Sequence, residues 1–223
     1  MGRVKRECPG GLIFHVLNRS VARIPLFKRE RDYVAWEETV VHALNRYPMD
    51  LLSYCAMPNH WHLVLRPRRD RDLSKFMQWF TLTHAQRWRT AHQTVGFGPL
   101  YQGRYKSFPI ECDEHLLTVL RYVERNALRA GLCDDVADWR WGSFYARITR
   151  ESALHELLHT WPIEMPKNWR RLLNTPQTDA EEEAVAKSIR RSCPFGSPAW
   201  QQRTAKELSL TACFRPPGRP RIN

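Results

Sequence analysis

The chain has 223 residues, and its 35 lysines and arginines outnumber its 23 aspartates and glutamates, giving a formal net charge of +12 at pH 7. Hydrophobic residues supply 43% of the composition, so one sizeable core can form beneath a cationic surface, and we expect a polyanionic partner. No run of about 18 apolar residues is present, and the first residues lack the apolar stretch of a secretory signal. We therefore expect neither a membrane-spanning nor an exported protein, but one that resides in the cytoplasm.

The first part of the chain predicts a strand, a helix and a hairpin. Residues 11–18 are rich in β-forming residues, whereas residues 29–46 carry apolar side chains at helical spacing. Two apolar runs then follow, 51–57 and 60–66, and only a Pro-Asn pair separates them. A separation that short is typical of two strands joined by a tight turn, so we expect a central hairpin.

Helix and strand patterns alternate once more after the hairpin. Residues 70–92 have apolar side chains at helical spacing, 101–110 interleave polar and aromatic residues, and 113–130 form a second amphipathic pattern that ends at Gly131. The resulting order, strand, helix, strand, strand, helix, strand, helix, is that of a ferredoxin-like split β-α-β core. We therefore predict an α+β fold whose antiparallel sheet carries its helices on one face and leaves the other face available for chemistry.

The composition changes beyond residue 150. The prolines within 151–177 predict a connector rather than core, and 178–213 contain two short helical patterns separated by a Pro-Phe-Gly turn. The last residues, 214–223, combine arginine with proline and contain no acid, so we expect an extended basic tail that suits a phosphate backbone. The predicted organisation is a main domain over 1–150, followed by the connector, a helical region and the tail.

Two histidines lie in the second strand of the predicted hairpin. Because successive side chains of a strand alternate between its faces, His60 and His62 share one surface with Val64. Paired imidazoles on a rigid strand make a two-point site for a divalent metal ion. A His-apolar-His triplet arises by chance about 0.15 times in a chain of this composition, so the pattern alone is a weak indication and a structural pair is the alternative.

A rival motif, His155-Glu156-Leu157-Leu158-His159, has the spacing of zinc metalloproteases. On a helix this spacing places two histidines one turn apart, with the glutamate as the base. The context argues against that function, because Pro162 follows closely, the segment lies in the predicted connector, and the further histidine of metzincins is lacking. A zinc metalloprotease is therefore the less favoured alternative.

The helical pattern over 113–130 carries polar chemistry beside its core stripe. Tyr122 and Asn126 lie one turn apart and face the same way, and three arginines crowd the same helix, at positions 121, 125 and 129. A phenol, a carboxamide oxygen and guanidinium groups next to a two-histidine metal site suit phosphodiester chemistry, because nucleophile, metal and charge clamp are all represented. An ordinary half-buried tyrosine is the structural alternative for Tyr122.

Taken in chain order, these motifs resemble one protein family. The string runs from Asn18-Arg19 through Met57-Pro58-Asn59-His60-Trp61-His62-Leu63-Val64, Tyr101-Gln102 with Arg104, Arg121-Tyr122-Val123-Glu124-Arg125-Asn126, Arg129-Ala130-Gly131-Leu132 and Trp139-Arg140-Trp141-Gly142-Ser143. It is similar to the single-tyrosine HUH transposases. The segment from Pro194-Phe195-Gly196 to Gly218-Arg219-Pro220-Arg221 further resembles the REP-associated branch of that family, named for the repetitive extragenic palindromes of bacterial chromosomes.

The resemblance implies an enzyme that cuts and joins single-stranded or hairpin DNA, with REP-like palindromes as its substrate class. It assigns the main domain to nuclease and transposase activity and the helical region to DNA binding, in a bacterial, nucleoid-associated protein that acts as a monomer or homodimer. It implies Tyr122 as the nucleophile of a 5′-phosphotyrosine intermediate, and Mg²⁺ or Mn²⁺ held by His60 and His62. Asn126 stands where relatives place a third polar ligand, often glutamine, and is predicted as the third ligand.

Basic side chains supply the expected phosphate contacts, because neutralising the backbone dominates the affinity of proteins for DNA. The predicted DNA-binding residues are Arg19, Arg66, Arg68, Arg69, Arg104, Lys106, Arg125, Arg129, Arg215, Arg219 and Arg221. The alternative from another class is a non-catalytic nucleic-acid-binding module, since the same topology serves RNA-binding domains. The sequence lacks the glycine-aromatic strand motif of those domains, which favours the enzyme.

Overall fold

A four-stranded antiparallel sheet organises the protein, whose computed structural model describes residues 7–215. The strands are β1 (Ile13–Arg19), β2 (Met49–Met57), β3 (His60–Pro67) and β4 (Lys106–Ile110), and their order across the sheet is β2-β3-β1-β4. Since β1 and β2 are both antiparallel to the β3 that separates them, they run parallel to each other. The predicted split β-α-β fold of the α+β class is thereby confirmed.

Helices connect these strands and follow them within residues 7–215. They are α1 (Glu30–Arg46), α2 (Asp72–Ala91), α3 (Glu114–Glu124), α4 (Asn126–Arg129), α5 (Ser143–Thr149), α6 (Trp169–Asn174), α7 (Asp179–Arg191) and α8 (Pro198–Glu207). Short 3₁₀ turns occupy Val21–Arg23, Val136–Asp138, His155–Leu157 and Thr211–Phe214. No helix in this part of the chain is long and apolar enough to cross a bilayer.

The hairpin of β2 and β3 turns through Pro58-Asn59 alone, as the sequence predicts. A connection this short fixes the register, and in a strand the register decides which face each side chain occupies. Trp61, Leu63 and Leu65 are fully buried in a first hydrophobic core, which α1 and α2 complete. The alternate residues of β3, beginning with His60, therefore face the opposite side of the sheet.

That opposite face is also covered, which corrects the prediction that the helices share one face. α3 lies against β2 and β3, and α6 and α7 lie against α3, in a second core that contains Leu120, Leu173 and Val185. Trp161 and Trp169, from the segment predicted as a connector, are buried in this core too. The surface left for chemistry is therefore a cavity beneath helices, and not an open sheet.

The single helix predicted over 113–130 is interrupted. α3 ends at Glu124, Arg125 has non-helical dihedral angles (φ −92°, ψ 7°), and α4 begins at Asn126. A backbone hydrogen bond of helical spacing still reaches Arg125 from each side. Tyr122 and Asn126 therefore belong to two short helices instead of one, and both remain buried.

The C-terminal helices are attached to the edge of the sheet. The N–H of Phe195 donates to the carbonyl of Pro109, and the carbonyl of Phe195 accepts the N–H of Glu111, so this segment continues the hydrogen bonding beyond β4. At the start of α7, Thr178 and Glu181 form a reciprocal capping box. These attachments hold α7 against the second face of the sheet, beside the predicted site residues.

Candidate active site

His60 and His62 lie at the beginning of β3, with their imidazoles on the same face of the sheet. Their ring centroids are 5.0 Å apart and the ring planes are inclined by 75°. Nδ1 of His60 lies 2.7 Å from Oδ1 of Asn59, and Nδ1 of His62 lies 2.8 Å from Nε2 of His15. The protein thus engages Nδ1 of each ring, and Nε2 is the nitrogen that faces further groups, which for His62 include the amide of Asn126.

His15 is a third histidine of the site that the sequence analysis did not select. It lies on β1 opposite Val64 of β3, and its buried ring stacks on His62 with centroids 5.0 Å apart. The sequence signal that could have identified His15 is the alternation of side chains between the two faces of β1. Phe14 and Val16 enter the first core, so the residue between them has to face the site.

Tyr122 reaches the same place from α3. Its ring lies edge-on to His62, with centroids 6.1 Å apart. The guanidinium of Arg129 lies 4.7 Å from the centre of the tyrosine ring and donates to the hydroxyl over 3.2 Å. A cationic donor at this position stabilises negative charge on the phenolic oxygen. The phenol and the imidazoles expected to act together are therefore neighbours within one chain.

The amide of Asn126 links Arg129 to the histidine pair. Its oxygen accepts a hydrogen bond from Arg129 over 3.2 Å, so its NH₂ group faces Nε2 of His62 at 3.1 Å. Donation by that NH₂ group requires a lone pair on Nε2 of His62, which places the proton of this ring on Nδ1, towards His15. By the same logic His60, which donates from Nδ1 to its neighbouring carboxamide, keeps a lone pair on Nε2.

Two neutral imidazoles with Nε2 lone pairs fit a divalent metal ion, which at His62 would replace the hydrogen bond from the Asn126 amide. Burial lowers the pKa of His60 to about 3, with the charges of Arg19 and Arg129 adding to the effect, and burial also lowers the pKa of His62 well below its usual value. Both rings are therefore neutral at pH 7, which is the state that binds metals. Asn126 fits less well, because Arg129 occupies its oxygen and the amide would have to turn over to become a ligand.

The imidazoles and the phenol line one cavity of 310 Å³. Arg19, Lys106, Arg129 and Arg190 add positive charge to its wall, and no acidic residue among those that the structure describes lines it. The Nε atom of Arg19 is buried and has no hydrogen-bond acceptor within residues 7–215. A buried donor of this kind is costly unless a ligand supplies an acceptor, so the cavity suits an anion.

Comparison with known proteins identifies the family. The family model for IS200-like transposases matches residues 10–126, which is 117 of the 223 residues. The chain belongs to the IS200-like transposase family. All three histidines of the site, Tyr122 and Asn126 lie within the matched segment of this transposase.

Two relatives of the transposase carry the resemblance further. A Haemophilus influenzae protein named "Putative REP-associated tyrosine transposase" is 24% identical over 133 residues, which cover 54% of this chain and 73% of the relative. The solved structure of a REP-associated tyrosine transposase bound to a REP hairpin matches with a TM-score of 0.55 and 17% identity, over 80% of this chain and 96% of its own. Together with the family match, these likenesses confirm the resemblance to the REP-associated tyrosine transposases.

The predicted DNA contacts of the transposase separate into those near the cavity and those engaged elsewhere. Arg19, Arg104, Lys106 and Arg129 line the cavity or the space that adjoins it. Within the described chain, none of the first three forms an ion pair with an acidic side chain, whereas Arg129 lies 3.4 Å from a carboxylate oxygen of Glu182 on α7. These four residues stay candidates for phosphate binding.

Three predicted contacts have partners inside the protein. Arg66 and Arg68, at the far end of β3 from the histidines, pair with the carboxylate of Asp50 at 2.6 and 3.2 Å. Arg125 is buried and donates to the carbonyl of Leu173 and to Glu182. These three side chains therefore also pair within the fold, and their role in DNA binding stays a prediction. Of the other predicted contacts, Arg69 and Arg215 are exposed, while Arg219 and Arg221 lie outside the described residues.

The rival zinc motif does not form the helix that its chemistry needs. His155–Leu157 is a single 3₁₀ turn and the chain is extended thereafter, so His155 and His159 are not stacked one helical turn apart. Nδ1 of His155 lies 2.8 Å from the carbonyl of Ala146, whereas Nε2 of His159 lies 3.2 Å from Asp50. The two rings serve separate structural contacts, and the metalloprotease alternative is wrong.

Another group of potential metal ligands, Glu111, Asp113 and His115, lies at the start of α3. Its carboxylates already serve the fold. Asp113 caps α3 by accepting the N–H of His115 over 2.9 Å, and Glu111 accepts the N–H of Ser197 before α8 over 2.6 Å. We assign these residues a capping role and take the histidine pair as the candidate metal site.

Proposed function

We propose that this transposase cuts and rejoins one strand of hairpin DNA through a covalent bond between Tyr122 and a 5′ phosphate. The observation that carries the proposal is the meeting of Tyr122, His62 and Arg129 in one cationic cavity. The relative whose solved structure holds a REP hairpin supports a palindromic DNA hairpin as the substrate class. The net charge of +12 favours such a polyanion.

Tyr122 supplies the nucleophile of the reaction. Its oxygen attacks the scissile phosphorus and loses the phenolic proton, the new O–P bond forms as the P–O3′ bond breaks, and the departing 3′ oxygen takes up a proton. Arg129, which donates to the tyrosine hydroxyl, stabilises the negative charge on the attacking oxygen. The phosphotyrosine preserves the energy of the ester bond, so a 3′-hydroxyl can reverse the step and join a new end without a nucleotide cofactor.

The wall of the cavity neutralises the charge of the scissile phosphate. The Nε donor of Arg19 lacks an acceptor in the described chain and can hydrogen-bond a phosphate oxygen, and the ammonium of Lys106 lies on the same wall. His60 and His62 would hold a divalent ion such as Mg²⁺ or Mn²⁺, which would supply Lewis-acid stabilisation of the phosphate charge. Binding, orientation and charge compensation are thus spread over β1, β3 and β4.

His15 has a positioning role. Burial lowers its pKa to about 3, so the ring is neutral and its Nε2 can accept the Nδ1 proton of His62. Acceptance by His15 fixes the His62 tautomer that directs a lone pair into the cavity.

Incubation with a labelled REP hairpin and Mn²⁺, followed by a denaturing gel, tests the proposed function. Wild-type protein is expected to yield cleaved DNA and a protein–DNA adduct that survives denaturation. Tyr122→Phe should give neither product while it still binds the hairpin, because only the nucleophilic oxygen is lost. Tyr47→Phe, which removes a hydroxyl at the end of α1, is the matched control and should cleave normally.

The same gel separates the competing interpretations. Full cleavage by Tyr122→Phe would refute the nucleophile. Hairpin binding by wild-type protein without cleavage or adduct would favour the non-catalytic nucleic-acid-binding alternative.

A further inference from the structure

The active-site cavity continues into two further cavities. A second cavity of 440 Å³ adjoins it, and a third of 610 Å³ lies beyond, between α2 and the segment 99–105. The first and second cavities have five lining residues in common, Leu17, Arg19, Gln102, Lys106 and Arg190. The second and third share Asn18, Gly103 and Arg104. Because neighbouring cavities share their walls, the three form one groove that begins at Tyr122.

The groove changes in chemical character along its length. Four cations line the middle cavity, Arg19, Arg104, Lys106 and Arg190, and no acidic residue of the described chain lines it, although Arg190 also pairs with Glu183 of α7. The third cavity is mostly apolar, with Met77, Leu82 and Ala85 of α2 facing Leu100 and Tyr105. Leu82, one of these apolar lining residues, is 58% exposed. A charged stretch thus leads to an apolar pocket.

The wall between the middle cavity and the apolar pocket is held in place by the sheet. The N–H of Gln102 donates to the carbonyl of Arg19 over 3.0 Å, at the end of β1. The hydroxyl of Tyr101 accepts the indole N–H of Trp61 over 3.0 Å inside the first core. The segment 99–105 is therefore anchored from both its backbone and a buried side chain, and the pocket beside it is formed before any ligand arrives.

We propose that this apolar pocket receives one unstacked base of the DNA strand whose phosphate lies at Tyr122. The inference rests on the proposed function, because a strand cut at Tyr122 has to leave along the cationic part of the groove. Cations there match the phosphate backbone, whereas an apolar pocket edged by the ring of Tyr105 matches the flat face of a base and neither a sugar nor a phosphate. Single-stranded DNA alternates these two chemistries along its length, as the groove does.

Gln78 is the specificity-determining residue that this placement indicates. It lines the pocket from α2, and its carboxamide offers both a donor and an acceptor to the edge of a base. Met77 and Leu82, which also line the pocket, have apolar side chains and can contact only the face of a base. The apolar residues thus pack against the face of the base, and Gln78 hydrogen-bonds to its edge.

An abasic-site scan tests the pocket. Cleavage-inactive Tyr122→Phe protein is titrated with REP hairpins that each lack one base in the single strands flanking the hairpin. One position is expected to weaken binding about tenfold, as the loss of one stacked base does. In a protein that also carries Ala85→Phe, a ring fills the pocket, so intact DNA should bind about tenfold more weakly and the same abasic site should cause no further loss.

Two further proteins make the scan decisive. Ala35→Phe adds the same ring to the exposed face of α1 and should leave the scan as it was. Leu82→Asp places a carboxylate at the exposed mouth of the pocket and should abolish the sensitivity to the abasic site, as Ala85→Phe does. A flat scan, or a sensitive position that persists in both pocket variants, would overturn the proposal. If the scan is flat but the active protein still forms the adduct, only the base pocket is refuted. If no adduct forms, the proposed function is refuted.

Discussion

At the scale of single residues, the site depends on two imidazoles, a phenol and a guanidinium that line one cavity, and on the buried ring of His15 that contacts His62. The alternation of β3 places His60 and His62 on one face, and the helical spacing of α3 places Tyr122 away from the outer surface. Both patterns can be recognised in the sequence. That α3 crosses the same face as the histidines is decided by packing, and for this the ordered string of family motifs was the better guide.

His15 shows the limit of prediction at this scale. A lone histidine between two apolar residues in a strand has the appearance of a satisfied core residue, and nothing in its local sequence announces His62 as its partner. The contact depends on the register of β1 against β3, which pairs His15 with Val64. Register between strands that are distant in sequence is set by the whole sheet, so the prediction would have needed the topology first.

The histidine pair can be tested directly. Replacement of both His60 and His62 with alanine should abolish Mn²⁺-dependent cleavage, because both Nε2 lone pairs are lost, while hairpin binding persists through the arginines. The measurement is a cleavage assay over a Mn²⁺ titration, with thermal unfolding as the check on folding. The matched control is His155→Ala with His159→Ala in the rival motif, which should cleave normally. Undiminished cleavage by the variant with alanine at positions 60 and 62 would refute the metal site.

At the scale of elements, α3 is held in place at its C-terminal end. The carboxylate of Glu124 is buried and accepts hydrogen bonds from Ser143 over 2.6 Å, from the indole of Trp169 over 2.8 Å and from Ser53 over 3.3 Å. These donors come from α5, α6 and β2. One side chain therefore ties four elements together, two residues away from the proposed nucleophile.

Removal of this carboxylate should lower the stability of the fold. Glu124→Ala is expected to reduce the free energy of unfolding by about 3 kcal/mol, because the buried indole N–H of Trp169 loses its acceptor and the hydroxyls of Ser53 and Ser143 keep only each other. Urea denaturation monitored by tryptophan fluorescence gives the value. Glu114→Ala, at the exposed start of the same helix, should cost less than about 1 kcal/mol. Equal losses from the two substitutions would contradict the anchoring role.

Elements were predictable where a local rule governs them. The Pro-Asn pair marked the β2–β3 hairpin, and apolar spacing located α1 and α2 within two residues of their bounds. The helix break at Arg125 has no proline or glycine, so the local sequence does not predict it. The prolines of 151–177 indicated a connector, yet Trp161 and Trp169 are buried there, because a large indole can anchor an irregular segment as firmly as a helix.

At the scale of the whole molecule, two hydrophobic cores flank the sheet, and the first of them encloses a titratable ring. His84 of α2 is buried with its Nδ1 2.6 Å from the hydroxyl of Tyr101, and burial lowers its pKa to about 3. In the unfolded chain the pKa of a histidine is about 6.5. Between these values the unfolded state binds a proton that the folded state excludes.

The stability of the protein should therefore fall as the pH is lowered below about 6.5, with no contribution from His84 above that value. The contribution of His84 to the slope of the unfolding free energy against pH approaches about 1.4 kcal/mol per pH unit. His84→Gln should remove this contribution. The free energy of unfolding, measured with urea between pH 7.5 and 5, checks the expectation. His42→Gln, on the exposed side of α1, is the control that should keep the wild-type slope. Parallel slopes for wild type and His84→Gln would contradict it.

The central claim, that the phenol of Tyr122 becomes joined to DNA beside the two imidazoles, is tested most directly by mass spectrometry of the adduct. After reaction with a REP hairpin and Mn²⁺, the protein is digested with trypsin and nuclease and its peptides are fragmented. We predict a peptide whose added mass is a nucleotide phosphate localised on Tyr122. A nucleotide on any other residue, or cleaved DNA that ends in a free 5′ phosphate with no modified peptide, would contradict the mechanism.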